Sequence, residues 1–260
     1  MSLPMTTIHL LPMLLEQTRA EFLRYLRSPF LSVFTLAIPI VFYLFVGLAS
    51  GGATVAGVPR PAYVLAGFAA YAVSNVMLST FGVSLAVDRA RRTDVLMRAT
   101  PLRPWVFLTA RAIVAIAFGL VALVALSVFA VLAGGVHLGL STWAALVGWL
   151  LAGSLPFLAL GLAVGYLVNP NAGGVAVNLV ALPLYFAAGV FRPVSQLPQL
   201  IQDVAPYLPS FRYAQLAWNA IGATNAAPLP QDLLYLAAWT VGLAILAVRA
   251  YRLEESRRLA

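Results

Sequence analysis

The sequence predicts an all-α membrane protein. It has six transmembrane helices, an N-terminal amphipathic interfacial helix, and short re-entrant helices between spans five and six. Three observations carry this. Of 260 residues, 62% are hydrophobic and only 9% are charged, against about 25% charged in a soluble domain. Mean hydropathy is +0.93. The uncharged stretches are also long: Ala112 to Phe191 is 80 residues without Asp, Glu, Lys or Arg, and a helix crosses a bilayer with about 20 apolar residues.

The elements follow in chain order. In residues 11–27, LPMLLEQTRAEFLRYLR, Leu11, Leu14, Leu15, Thr18, Phe22 and Leu26 recur at helical spacing. Glu16, Arg19, Arg24 and Arg27 lie mainly off that stripe, the pattern of a helix lying in the membrane surface. No A-x-A-like cleavage site follows the first long apolar run, so that run reads as a span and not as a secretory signal. The spans fall near 30–49, 61–87, 105–133, 142–168, 172–191 and 231–250. The turn formers GGVHLGLST at 134–142 and NPNAGG at 169–174 divide the long uncharged stretch into three. Spans two and three exceed the bilayer thickness, so they tilt or project beyond it.

Between spans five and six, residues 192–223 contain Pro193, Pro198, Pro206 and Pro209. Proline breaks a helix interior, so two short helices dipping into the outer leaflet are expected there, with a plain loop as the alternative. The chain divides into an N-terminal segment 1–29, a membrane domain 30–250 and a tail 251–260.

Charge sets the expected orientation. An even number of spans puts both termini on one side. Arg19, Arg24 and Arg27, six arginines within 88–111, and Arg249, Arg252, Arg257 and Arg258 make 13 on that side. Arg60, Arg192 and Arg212 make three on the other. Positive residues collect in the cytoplasm, which places both termini there. The net charge of +8 then reflects topology and anionic lipid, and nucleic acid is not an expected partner.

Composition also excludes chemistry. There is no cysteine and no lysine, so thiolate chemistry and a P-loop ATP site are both ruled out. The two histidines, His9 and His137, do not make a histidine-rich metal site. Neither a G-x-S-x-G elbow nor an H-E-x-x-H site occurs. Spans three to five carry no Asp, Glu, Lys or Arg except Arg111, expected to snorkel to the headgroups; Asp203 falls outside the spans, and Asp232 just precedes the last apolar run, Leu233–Val248. The span interiors offer aromatic and small polar groups, among them Phe42, Phe45, Asn75, Phe81, Asn178 and Tyr185. Such a lining suits an amphipathic or lipid-like substrate better than an ion. Gly161 and Gly165 form a G-x-x-x-G close-packing signal.

The result resembles a transport pore without its own energy source, so either it works passively or a driver grips a cytoplasmic surface. The largest such surface is DRARRTDVLMRATPLRP at 88–104. Val95, Leu96 and Met97 supply an apolar plug there, and Asp88, Arg89, Arg91, Arg92, Asp94 and Arg98 fix its register by charge. Pro101 and Pro104 close it off. A stand-alone secondary or passive transporter, and a membrane enzyme or assembly factor, are the competing readings.

Three stretches carry a resemblance to a known family: EFLRYLRSPFLSVFTLAIPIVFYLFVG at 21–47, DRARRTDVLMRATPLRPWVFLTAR at 88–111, and ALPLYFAAGVFRPVSQLPQLIQDVAPYLPSFRYAQLAWNA at 181–220. With the six-span plan, their order and spacing resemble the ABC-2 type permeases, the membrane subunits of ATP-driven exporters. The resemblance implies two separate ATP-binding cassette ATPase subunits and a second permease subunit, identical or related. ATP and magnesium would sit on the partner ATPase, with no cofactor in this chain. It implies that residues 88–100 form the coupling helix, braced by the interfacial helix, in a bacterial or archaeal plasma membrane. The exported substrates of the family include drugs, lipids, glycolipids and polysaccharides. The family often has Glu within DRARR, Gly at Thr93–Asp94 and Ser at Ala188, and these departures leave the substrate class open.

Overall fold

The computed structural model describes residues 10–27, 29–48, 53–91 and 104–259. The first helix, α1 (Leu10–Leu26), ends one turn before α2 (Pro29–Gly47). A small antiparallel hairpin, Thr54–Val55 with Val58–Pro59, leads into α3 (Arg60–Leu78). A π-helical turn at Ser79–Val83 joins α3 to α4 (Ser84–Ala90). Then come α5 (Pro104–Gly134), α6 (Leu140–Ala152), α7 (Leu155–Leu167) and α8 (Gly173–Ala187). The short helices α9 (Gln199–Val204) and α10 (Pro209–Ala220) precede α11 (Leu229–Leu259).

Among the described residues, five stretches are long and apolar enough to cross a membrane: Arg60–Ala90, Trp105–Gly134, Leu140–Leu167, Pro170–Ala187 and Leu229–Glu254. The expected first span, α2, is helical for 19 residues, about 28 Å at 1.5 Å per residue. Its Ala37–Gly47 portion is apolar but shorter than a span.

Arg60–Ala90 is the central staff. Its apolar window is wholly buried, against 22% for Leu229–Glu254. Around it pack α2, α5, α7 and α10, while α11 runs along α7 and α1 lies against α5. The expected glycine contact lies between the staff and α7. A Cβ on Gly161 would stand 3.1 Å from Leu78 O, and one on Gly165 would stand 3.1 Å from Gly82 O. Only glycine lets the two backbones approach this closely.

The fourth span differs from expectation, because it is two helices. Pro156 cannot donate a backbone hydrogen bond and its ring excludes the preceding turn, so α6 stops at Ala152 and α7 restarts at Leu155. The carbonyls freed by the break are taken up locally. Ser154 Oγ donates to Leu151 O at 2.8 Å, and the Tyr213 hydroxyl of α10 donates to Leu150 O at 2.7 Å. The sixth span also differs: its helix continues unbroken through the expected tail to Leu259.

In the expected re-entrant region, α9 and α10 are separated by a 3₁₀ turn at Ala205–Tyr207 that contains Pro206, and Pro209 opens α10. α10 is buried almost throughout, with Arg212, Tyr213, Gln215 and Trp218 all inside. Gly189, at φ +81°, closes α8 in the left-handed conformation that glycine adopts without strain.

Candidate functional site

Ionisable groups inside an apolar bundle are costly unless paired, so they mark where to look. They gather at the two ends of the bundle.

At the arginine-rich end, α1, α4 and α5 meet over four charges. Arg111, on the second turn of α5, is 1% exposed. Its Nη2 lies 2.7 Å from Asp88 Oδ2 and 3.3 Å from Glu21 Oε1. Arg24 Nη1 reaches Asp88 Oδ1 at 2.9 Å and Glu21 Oε1 at 3.7 Å. Glu21 and Asp88 are themselves 6% and 5% exposed. Two carboxylates against two guanidiniums leave the cluster neutral, so each charge is compensated where water is scarce. The Arg111 guanidinium also stands 4.4 Å over the Phe107 ring, a cation–π contact. Arg111 therefore does not snorkel to the headgroups as expected, since carboxylates on two other helices hold it inside.

The next residue along α4 faces the other way. Arg89 Nη1 donates to Gly165 O at 2.7 Å and to Val168 O at 2.9 Å, while Nη2 pairs with Glu254 Oε2 at 2.8 Å. Asp88 thus joins the end of the central staff to α1 and α5, and Arg89 joins it to α7 and α11.

Helix α1 explains its own placement. Its buried side is Glu21 and Tyr25, the latter ring tilted against Phe118 of α5 at 4.2 Å. Most of its apolar stripe is exposed, at Leu11, Leu15 and Leu26; Phe22 is exposed too, with its ring tilted against Phe118 at 5.1 Å, and Glu16, Arg19 and Arg27 are also exposed. Exposed leucines beside exposed charges, on a helix held to the bundle through Glu21 and Tyr25, suit a place in the membrane surface.

Of the candidate coupling residues, Asp88 is buried, Arg89 is mostly buried and Arg91 ends α4 exposed. Arg92, Asp94, Val95, Leu96, Met97 and Arg98 lie outside the described residues. The candidate pathway residues separate into two groups. Phe42, Phe45 and Asn178 are exposed on α2 and α8, and the Asn178 amide donates back to Gly174 O at 3.0 Å. Asn75, Phe81 and Tyr185 are buried in the core, where the Tyr185 hydroxyl bonds Ser74 Oγ. The exposed faces of α2 and α8 meet at Phe191, whose ring lies edge-on 5.1 Å from Phe42 and stacked 6.5 Å from Phe186.

At the opposite end Asp232, expected just before the last apolar run, is fully buried in the first turn of α11. Arg212 pairs with it at 3.1 Å, donates to Pro206 O at 2.6 Å and lies 4.3 Å over the Tyr235 ring. Asn219 bonds Ala227 O at 2.7 Å, and Gln215 accepts from Ala227 N at 3.0 Å. These contacts fasten α10 to α11.

Sequence reasoning missed Glu21 and Glu254 as partners. The available signal was scarcity: with only eight acidic residues in the chain, each one is a candidate partner for a buried arginine.

The sequence model of the ABC-2 type transporter family matches residues 14–217. A Bacillus subtilis (strain 168) protein named "Putative transport permease YvfS" is 24% identical over 241 residues, covering 93% of this chain and 98% of that protein.

Proposed function

Because the chain belongs to the ABC-2 type transporter family, and so is the membrane subunit of a transporter, we propose that it exports an amphipathic or lipid-like substrate with energy from separate ATP-binding cassette subunits. Two such ATPase subunits would serve a pair of permeases, this chain with a second copy or a relative. Both termini lie in the cytoplasm and six helices cross the membrane, with α9 and α10 re-entering from outside. ATP and magnesium stay on the partner, since this chain has no lysine for a P-loop.

The observation that carries this reading is the fork at Asp88 and Arg89. In this reading residues 88–100 are the segment that docks in the ATPase. The residues at its root bond α1, α5, α7 and α11. A displacement of the root therefore moves several helices together. The exposed leucines of α1 support its role as the brace lying in the inner leaflet. The exposed aromatics of α2 and α8 support a substrate route between paired subunits along α2, α3 and α8.

Purification tests the reading. A cytosolic cassette ATPase copurifies with the detergent-solubilised protein, and reversing the charges of Arg91 and Arg92 lowers its recovery. A tag at residue 260 is cytoplasmic and one near Pro198 is external. Transport by the chain alone in ATP-free liposomes would refute the proposal.

A further inference from the structure

We infer that Glu254 is a positioning residue for the same movement: through Arg89 it binds the continuation of α11 to the root of the coupling helix, so that α11 carries the stroke to the opposite end. The inference rests on the function proposed above.

The geometry starts with two successive residues. Side chains one residue apart on an α-helix diverge by about 100°, so Asp88 and Arg89 cannot serve the same neighbours. Arg89 faces the end of α7, whose last carbonyls have no partner within the helix. It takes two of them, Gly165 O and Val168 O, and a cation is favoured at that end of a helix dipole. Its remaining Nη2 is aimed at Glu254 at 2.8 Å. The two side chains are 7% and 19% exposed, so salt screens this pair less than a surface ion pair. Held from three directions, the guanidinium fixes α4, α7 and α11 relative to one another.

Independent packing sets the same register. Tyr251, three residues before Glu254, meets the Tyr166 ring of α7 edge-on at 5.4 Å. The helix that bears both residues is unbroken for 31 residues, Leu229–Leu259. The central staff is interrupted by a π-helical turn, and the fourth span by the break after Ala152. Helix α11 has neither. Near its start lies Asp232, bonded to Arg212 and Asn219 of α10. A shift at Glu254 therefore reaches the α10 cap along one continuous rod.

The test uses the complete permease–ATPase complex. The chain contains no cysteine, so Ala90→Cys and Arg252→Cys, at exposed positions, give defined sites for nitroxide labels. Double electron–electron resonance reads their separation with and without a non-hydrolysable ATP analogue. With Glu254 intact, the separation stays narrow and constant in both states, because the root and the tail move as one body. With Glu254→Ala, the nucleotide shifts or broadens the distribution by about 5 Å, the scale of one helical turn, and Glu254→Asp restores it. Thermal unfolding of each variant in detergent checks that the fold persists. If the alanine variant does not purify, Glu254→Gln removes only the charge and takes its place. A Glu254→Ala or Glu254→Gln distribution as narrow and constant as the parent's overturns the inference. Failure of any cassette ATPase to copurify with the parent chain overturns the function reading instead, and shows itself before any Glu254 variant is made.

Discussion

The two ends of the bundle both bury arginine–carboxylate pairs, but they join different kinds of neighbour. At the arginine-rich end the charges come from several helices: Arg111 and Asp88 are only 23 residues apart, but Arg111 and Glu21 are 90 apart and Arg24 and Asp88 are 64 apart. At the opposite end the charged pair is local, with Arg212 and Asp232 separated by 20 residues. The far-reaching bonds there are neutral, such as Trp218 Nε1 to Tyr63 O and Asn225 Nδ2 to the Tyr63 hydroxyl. One set of charges ties separate helices to a common root. The other staples a cap. The same chemistry thus serves transmission in one place and closure in the other, and the number of helices it joins distinguishes the two.

The sharpest way to break this contrast is Arg111→Met. It leaves Glu21 and Asp88 buried with only the partly exposed Arg24 between them. Removing one partner of a buried ionic cluster costs about 3–5 kcal/mol, so the unfolding temperature in detergent falls and the cassette ATPase is recovered poorly. Adding Glu21→Gln and Asp88→Asn to Arg111→Met recovers part of the stability, because no uncompensated carboxylate remains.

Arg212→Met sharpens the contrast from the other side. It strands a single carboxylate, Asp232, and costs about 3 kcal/mol. Because that network joins α10 to α11 alone, copurification of the ATPase is unchanged at a temperature where the variant is folded. Equal loss of ATPase binding in both variants would mean that the two ends are not functionally distinct.

The smallest effect belongs to Arg24→Ala. Its side chain is 37% exposed, so solvent screens the pair and the loss is about 0.5 kcal/mol. Chemical denaturation should barely register it. A penalty matching that of Arg111→Met would show that α1 is held by Arg24 and not by the buried pair.

Periodicity made most of the fold legible. The stripe from Leu11 to Leu26 predicts α1 to within a residue or so, and the turn formers at 134–142 and 169–174 fall where helices end. Gly161 and Gly165 announce the close approach that α7 makes to the central staff. The break at Gly153–Ser154 was less legible, because its apolar flanks read through it as one run and Pro156 sits within a turn of it. The site was legible only by half. Asp88 and Arg89 stood out through their charge, but nothing in a linear sequence says that Glu21 and Glu254 are their spatial neighbours. Arg111 misled for the same reason. An arginine near a span end snorkels by default, and only the folded chain supplies carboxylates that make burial the better choice.

The π-helical turn at Ser79–Val83 fixes a rotational phase. A turn of this width accommodates one residue more than an α-helical turn. Everything after it is therefore offset by about 100° from where a plain α-helix would point it. Shorten the turn by one residue and Asp88 swings out of line with Arg111, while Arg89 leaves the carbonyls of α7. Every side chain would still be present, yet the fork would address the wrong helices. In the centre of the staff, the molecule carries the setting that aims its two most consequential charges.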